Sequence, residues 1–124
     1  MPGAQTTFGE LLRAKRLAKG YSLRKFASLI DVSPTYLSQV EQGHIDPPTA
    51  ERVGRIAELL GENADVLIAM AGRLPDDLPT IIRKQPERMP ELLREANGLT
   101  AEQLLRLTKQ ARRLKSQDVR KKTT

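Results

Sequence analysis

The sequence lacks several residue types on which common protein chemistries depend. It contains no cysteine, no tryptophan, one histidine and only four other aromatic side chains among 124 residues. Without cysteine the chain cannot build a disulfide framework, a zinc finger or a cysteine nucleophile, and one histidine does not make a histidine-rich metal site. We therefore expect neither a metal nor a cofactor.

Long apolar stretches are also missing. The longest uninterrupted run covers residues 66–71, which is too short to cross a bilayer, and no secretory signal opens the chain. There is no glycine-rich phosphate loop and no arrangement of paired acids or of a nucleophile beside a base. We therefore expect a cytoplasmic protein that is not an enzyme and does not bind a membrane.

Charge is distributed unevenly along the chain. The net charge is +6, yet residues 1–72 hold eight basic and eight acidic side chains, whereas residues 73–124 hold thirteen and seven. Within the first part, the segment from Leu11 to Ile30 carries six cations and no acid. Such a block indicates a polyanionic partner, with an ordinary solvated face as the alternative.

Helix start and stop signals recur along the first 72 residues. Thr7 stands three residues before Glu10 as in a capping box, and Ser33-Pro34 pairs a cap with a first-turn proline. Glycines then follow the apolar stretches where helices would end. No segment alternates like a strand, so the sequence predicts an all-α fold with five helices in this part.

Residues 22–43 have the pattern of two short helices joined by a tight turn. Ala27 is the small residue that two steeply crossed helices need, and Asp31 tolerates the positive φ of the turn. The remaining apolar positions bury one face of each helix. This is the pattern of a helix-turn-helix.

Residues 8–70 resemble the Xre/Cro/lambda-repressor-like family of helix-turn-helix regulators. The residues that carry the resemblance are Phe8, Leu12, Arg16, Gly20, Ser22, Phe26, Ala27, Val32, Ser33, Tyr36, Leu37, Ser38, Glu41, Gly43 and Pro47. The resemblance implies a five-helix domain that binds operator DNA, usually as a dimer. The chain departs from the family where Asp31 replaces the usual glycine of the turn and where Leu23 replaces a glutamine that many members use to hold the DNA backbone. His44 and Asp46 also stand where relatives often have lysine or arginine.

The third helix, over about residues 34–42, carries a polar and uncharged face opposite Leu37, Val40 and Glu41. Hydroxyl and amide groups match the edges of bases in the major groove, whereas a merely solvated face usually carries Lys and Glu. The predicted base-contacting residues are Pro34, Thr35, Ser38, Gln39 and Gln42.

Contacts to the DNA backbone need cations, hydroxyls or helix N-termini. The predicted backbone-contacting residues are Lys19, Ser22, Arg24, Lys25, Tyr36 and His44. Several of these residues also have an interpretation that involves no DNA. Residues 24 and 25 would then be solvated cations, Tyr36 would be a partly buried ring, and His44 would be an exposed loop residue.

Arg16 lies on the apolar stripe of the first helix with Phe8 and Leu12, and Glu41 lies on the inward face of the third. A buried guanidinium needs a partner, and the family resemblance implies the same pair. We therefore predict a structural ion pair between Arg16 and Glu41.

The C-terminal part is predicted to form helices over 78–85, 87–97 and from Ala101 to about Lys115. Leu104, Leu107, Ala111 and Leu114 are spaced 3, 4 and 3 residues apart, which suits packing against another helix. The predicted dimerisation residues are Leu92, Leu93, Leu104, Leu107, Ala111 and Leu114. The alternative is that this segment folds back on the N-terminal domain.

The sequence thus predicts three parts: a helix-turn-helix DNA-binding domain over 1–72, a helical oligomerisation segment over 73–115 and a flexible basic tail over 116–124. The expected function is that of a transcriptional regulator, in particular a repressor that binds a two-fold operator in double-stranded DNA as a homodimer. An unidentified protein effector is a further partner that the sequence leaves open. The alternatives are the DNA-binding antitoxin of a toxin–antitoxin pair, or an antirepressor that binds protein and not DNA.

Overall fold

The computed structural model describes residues 6–123, and it describes side chains for residues 6–117. Within those bounds the secondary structure is helical, with no strand, which confirms the predicted all-α class. The helices are α1 (Phe8–Ala18), α2 (Leu23–Leu29), α3 (Pro34–Glu41), α4 (Ala50–Leu60), α5 (Ala64–Met70), α6 (Asp77–Lys84), α7 (Arg88–Ala96) and α8 (Ala101–Thr123). The chain divides into two compact units, Met1–Thr80 and Ile81–Thr124, so the division falls within α6.

Side-chain caps begin each of the first five helices. The capping oxygen of each helix accepts a hydrogen bond from the backbone N–H three residues later, which satisfies one of the donors that a helix N-terminus leaves free. The caps are Thr7, Ser22, Ser33, Thr49 and Asn63. The caps predicted at Thr7 and Ser33 are therefore confirmed.

One hydrophobic core occupies the first unit. α3 packs against α1 and α2, and α4 packs against α5. The largest fully buried side chains are Phe26, Leu12, Ile30, Leu37, Ile56 and Val53. Since α3 contributes Leu37 and Val40 to this core, its opposite face is left toward solvent.

The turn between α2 and α3 has the backbone of a Schellman motif. Asp31 adopts φ 58°, and the N–H of Val32 donates to the carbonyl of Ala27 at 3.0 Å. The guanidinium of Arg55 on α4 holds this turn by donating to the Asp31 carboxylate at 3.1 Å and to the Leu29 carbonyl at 2.9 Å. The positive φ expected at Asp31 is therefore present. The Asp31 side chain is in addition hydrogen-bonded to an arginine of α4.

Gly9 sets how closely α1 approaches the end of α3. A Cβ atom at this position would lie 2.5 Å from the carbonyl oxygen of Val40 and 2.6 Å from that of Glu41. Both neighbours are backbone atoms, which cannot rotate away as a side chain can. A residue without a Cβ is therefore required for α1 to pack at this distance from α3.

The second unit comprises the end of α6 together with α7 and α8. A reciprocal capping box begins α8, since Thr100 and Gln103 each accept from the other's backbone N–H. The prediction that this helix ends at about Lys115 is wrong, because α8 continues to Thr123. Residues 116–123 contain no glycine or proline to end a helix. The last residue of the expected flexible tail, Thr124, lies outside the described residues.

Candidate nucleic-acid interface

The outward face of α3 is polar and carries no charge. Pro34, Thr35 and Gln42 are exposed, whereas Ser38 and Gln39 are half-buried. Helical periodicity brings these side chains together, because the inward positions are held in the core. Hydroxyls and amides of this kind can donate to and accept from the edges of bases.

Two hydrogen bonds organise this face internally. The Gln42 amide Nε2 donates to the Ser38 hydroxyl oxygen at 2.9 Å, and the Gln39 Oε1 lies 3.0 Å from the Nδ1 of His44. Each glutamine thus has one end of its amide engaged within the protein. The other end stays available for a ligand.

The first turn of α2 carries the exposed cations Arg24 and Lys25. The hydroxyl of Ser22 is already engaged there, because it caps the helix by accepting from the N–H of Lys25 at 3.0 Å. Positive side chains at a helix N-terminus oppose the helix macrodipole. A polyanion near this turn would offset that repulsion.

Lys19 occupies a different position from the other predicted backbone contacts. Its Nζ lies near Gly61, where a Cβ added to that glycine would be 3.7 Å away. Gly61 ends α4, and a lysine ammonium next to a helix C-terminus interacts favourably with the free carbonyls. On the same side of α1, Lys15 pairs with Glu62 at 3.0 Å.

Tyr36 and His44 flank the α3 face. The Tyr36 ring is half-buried and packs against the hydrophobic core, while His44 is exposed just after Gly43. An open groove of about 870 Å³ runs beside the face, lined in part by Leu17, Leu23 and His44. The contacts of Tyr36 and His44 with a DNA backbone stay predictions.

An ion pair between Arg16 and Glu41 joins α1 to α3, as the sequence leads one to expect. The guanidinium donates to both carboxylate oxygens, from Nε at 2.7 Å and from a terminal nitrogen at 3.0 Å, and also to the Tyr21 carbonyl at 2.8 Å. The pair is almost fully buried, with side-chain exposures of 6% and 4%. Hydrogen bonding to Glu41 raises the pKa of Arg16, so the guanidinium stays charged.

Three residues that support this surface are absent from the sequence predictions. They are Gly9 in α1, Arg55 at the turn, and Arg73, which donates to the Pro48 carbonyl at 3.1 Å and to the Pro47 carbonyl at 2.7 Å. A glycine inside a helical pattern is a signal of close packing that could have revealed Gly9. No comparable local signal marks the two arginines, because their partners lie more than twenty residues away.

The predicted dimerisation residues all lie on exposed surfaces of the second unit. Leu92 and Leu93 lie on α7, and α8 carries the remaining four: Leu104, Leu107, Ala111 and Leu114. Leu93 and Leu104 line one shallow groove between the end of α7 and the start of α8. Neither α6 nor α7 contains a buried residue.

Among the residues that the structure describes, no group of histidine and acidic side chains could hold a metal ion. Over the same part of the chain, no helix is both long enough and apolar enough to cross a membrane.

Solved structures of two named regulators are among those that are similar to part of this chain. One is the crystal structure of SinR, the master regulator for biofilm formation, in complex with DNA; it is 26% identical, with a TM-score of 0.46, and the match covers 50% of this chain and 98% of that one. The other is the clp gene regulator ClgR of Corynebacterium glutamicum, which is 31% identical with a TM-score of 0.45. That match covers 54% of this chain and 86% of ClgR.

Sequence comparisons also find relatives of part of this chain. This chain is 39% identical over 66 residues to the uncharacterized HTH-type transcriptional regulator Rv0474 of Mycobacterium tuberculosis, a match that covers 53% of this chain and 46% of that protein. The chain thus spans about half the length of the curated relatives it matches. Residues 12–67 match the model of a helix-turn-helix family. The match includes the whole of α2, the turn at Asp31 and α3. This match agrees with the resemblance of residues 8–70 to the Xre/lambda-repressor-like helix-turn-helix regulators.

Proposed function

We propose that this protein is a transcriptional regulator that binds double-stranded DNA sequence-specifically, and that it represses transcription from a two-fold operator as a homodimer. The observation that carries the proposal is the uncharged polar face of α3, held outward by the burial of Leu37, Val40 and Glu41. The match of residues 12–67 to a helix-turn-helix family supports DNA as the ligand, and the matched relatives are named as regulators. Because its target is genomic DNA, the protein acts in the cytoplasm at the nucleoid.

In this proposal α3 enters the major groove and reads bases. Thr35, Ser38, Gln39 and Gln42 supply the donors and acceptors, and the Thr35 methyl can meet a thymine methyl. The buried Arg16–Glu41 pair anchors α3 on α1, which limits how far the reading face can rotate.

The first turn of α2 contacts the DNA backbone in the same proposal. Arg24 and Lys25 are exposed there and no acidic residue lies between Leu11 and Ile30 to compete with phosphates for them. Such contacts position the protein without carrying sequence information.

The second unit provides the dimer contact. One recognition helix reads only a few base pairs, whereas a two-fold dimer reads two half-sites about 34–36 Å apart. The exposed leucines of α7 and α8 suit a partner with the same apolar surface, as an isologous interface requires. The double variant Leu104→Glu/Leu107→Glu should be monomeric in sedimentation equilibrium at tens of micromolar, whereas the matched variant Gln110→Glu should remain dimeric.

DNA binding is tested directly by selecting fragments of the source genome on the whole 124-residue chain. Affinity is then measured by fluorescence anisotropy on a selected site and on random duplex DNA at several salt concentrations. Gln39→Ala should weaken binding to the selected site by about 1–3 kcal/mol and bind random DNA almost as well as the native protein.

Gln110→Ala on α8 is the matched control, because it removes an exposed glutamine far along the chain from α3. Equal losses on both DNAs would show that Gln39 does not read bases. If the native protein enriches no DNA at low salt, the proposed function is wrong and a protein-binding antirepressor becomes the better description.

A further inference from the structure

His44 is tied to Gln39 through both its backbone and its side chain. Gly43 adopts φ 77° and turns the chain back over the last turn of α3, so that the His44 N–H donates to the Gln39 carbonyl at 2.9 Å. This is the long hydrogen bond of a Schellman motif, in which the residue after the left-handed glycine meets the side chain three positions before the cap. An apolar pair usually fills that contact, whereas here the imidazole Nδ1 meets the Gln39 Oε1 at 3.0 Å.

The chemistry of the two groups sets the direction of this hydrogen bond. A glutamine Oε1 only accepts, so the imidazole hydrogen must reside on Nδ1. The Gln39 Nε2, with its two hydrogens, is then the end of the amide that faces away from His44. Gln39 itself is half-buried.

We propose that His44 is a specificity-positioning residue, which holds the Gln39 amide with its donor end outward. This inference rests on the proposed DNA-binding function. In the major groove an outward donor prefers an edge rich in acceptors, as guanine presents through O6 and N7, over cytosine, which offers a donor. Without His44 the amide can turn over and exchange its donor and acceptor ends, so the preference at that base pair is lost.

A contact of His44 with phosphate would have a different signature. Phosphate contacts weaken binding to all sequences alike and change the dependence on salt, whereas positioning acts only at the base that Gln39 reads. Specificity and salt dependence therefore separate the two roles.

The experiment uses the whole 124-residue chain and the DNA site selected from fragments of the source genome. The base pair read by Gln39 is identified as the position at which Gln39→Ala loses its preference. Anisotropy titrations then compare the native protein, His44→Ala and His44→Gln on the site and on its substitutions at that base pair. His44→Ala should reduce the preference there by about fivefold or more, with other positions and the salt slope unchanged. His44→Gln should retain most of the preference, because its side-chain amide can also donate to Gln39.

A third arm places His44→Ala in the Gln39→Ala background, where positioning predicts no further change in base preference. A loss that is uniform over all sequences, or that persists without Gln39, would overturn the positioning role while leaving DNA binding intact. Absence of DNA binding by the native protein would instead refute the proposed function. Near-ultraviolet circular dichroism from Tyr21 and Tyr36 verifies that each variant is folded.

Discussion

Replacing Arg16 by methionine tests the ion pair that joins α1 to α3. Methionine keeps much of the length of the side chain but removes the charge and every donor. Glu41 is then left as a buried carboxylate without a partner, and the Tyr21 carbonyl loses its donor as well. Breaking a buried pair by removing one member costs about 3–5 kcal/mol.

The structure places this substitution toward the upper end of that range. Side-chain exposures of 6% and 4% leave little room for water to compensate the stranded carboxylate. The free energy of unfolding of a domain of about 65 residues is only about 3–10 kcal/mol. The loss is therefore comparable to the whole stability, and the midpoint temperature should fall by about 12 °C or more.

Tyrosine signals are the appropriate assay. The chain has no tryptophan, and both tyrosines, Tyr21 and Tyr36, lie in the helix-turn-helix domain. Far-ultraviolet dichroism would add the helices of the second unit, whereas tyrosine fluorescence in a urea titration follows this domain alone. Arg13→Met is the matched control, because Arg13 is exposed on the same helix and its variant should unfold with the native midpoint.

The double variant Arg16→Met/Glu41→Met should recover much of the stability lost by the single variant, because it removes the stranded charge as well. A change below about 1 kcal/mol in Arg16→Met would refute the reasoning from burial. Native stability combined with lost DNA binding would make Arg16 a DNA ligand instead.

Three further predictions concern the contact between α1 and α3, the turn between α2 and α3, and the cations of α2. Gly9→Ala should destabilise the domain by about 1–3 kcal/mol in urea titrations, because the new Cβ would collide with backbone atoms of α3. Gly54→Ala should instead stabilise the domain by about 0.5–1 kcal/mol, because a Cβ there has no neighbour within 4 Å. Equal effects of the two substitutions would refute the close approach of α1 to α3. Asp31→Gly should be more stable than Asp31→Ala by about 1 kcal/mol, since both lose the carboxylate and only alanine keeps the left-handed strain; the reverse order would contradict the φ of 58°. The double variant Arg24→Gln/Lys25→Gln should flatten the plot of log affinity against log salt by about two units, and an unchanged slope would place the phosphate contacts elsewhere.

The parts of the molecule that short-range chemistry determines could be read from the sequence. A side-chain cap acts within three residues, so Thr7 and Ser33 mark helix starts without any knowledge of the fold. Helical periodicity likewise separates the buried and outward positions of α3. Together with the need of a buried guanidinium for a partner, and with the family resemblance, that periodicity also led to the Arg16–Glu41 pair across 25 residues.

The course of α8 beyond Lys115 shows how a composition argument can fail. A polar and basic end was expected to fray, yet residues 116–123 contain nothing that stops a helix, and the helix continues. Polarity decides whether a helix face can be buried, whereas glycine, proline and capping residues decide where a helix ends.

Only the tertiary structure decided which distant groups meet around the helix-turn-helix. Arg55 reaches the turn from α4, Arg73 reaches the loop after α3, and Gly9 meets the backbone of α3, each across at least 24 residues. The link between Gln39 and His44 spans only five residues, but it depends on the left-handed backbone of Gly43 and on the rotamers of both side chains. The sequence by itself determined where the first five helices lie and which of their faces are buried, because those depend on local propensity and periodicity. The distances between helices and the orientation of each amide follow from packing, which no single segment encodes.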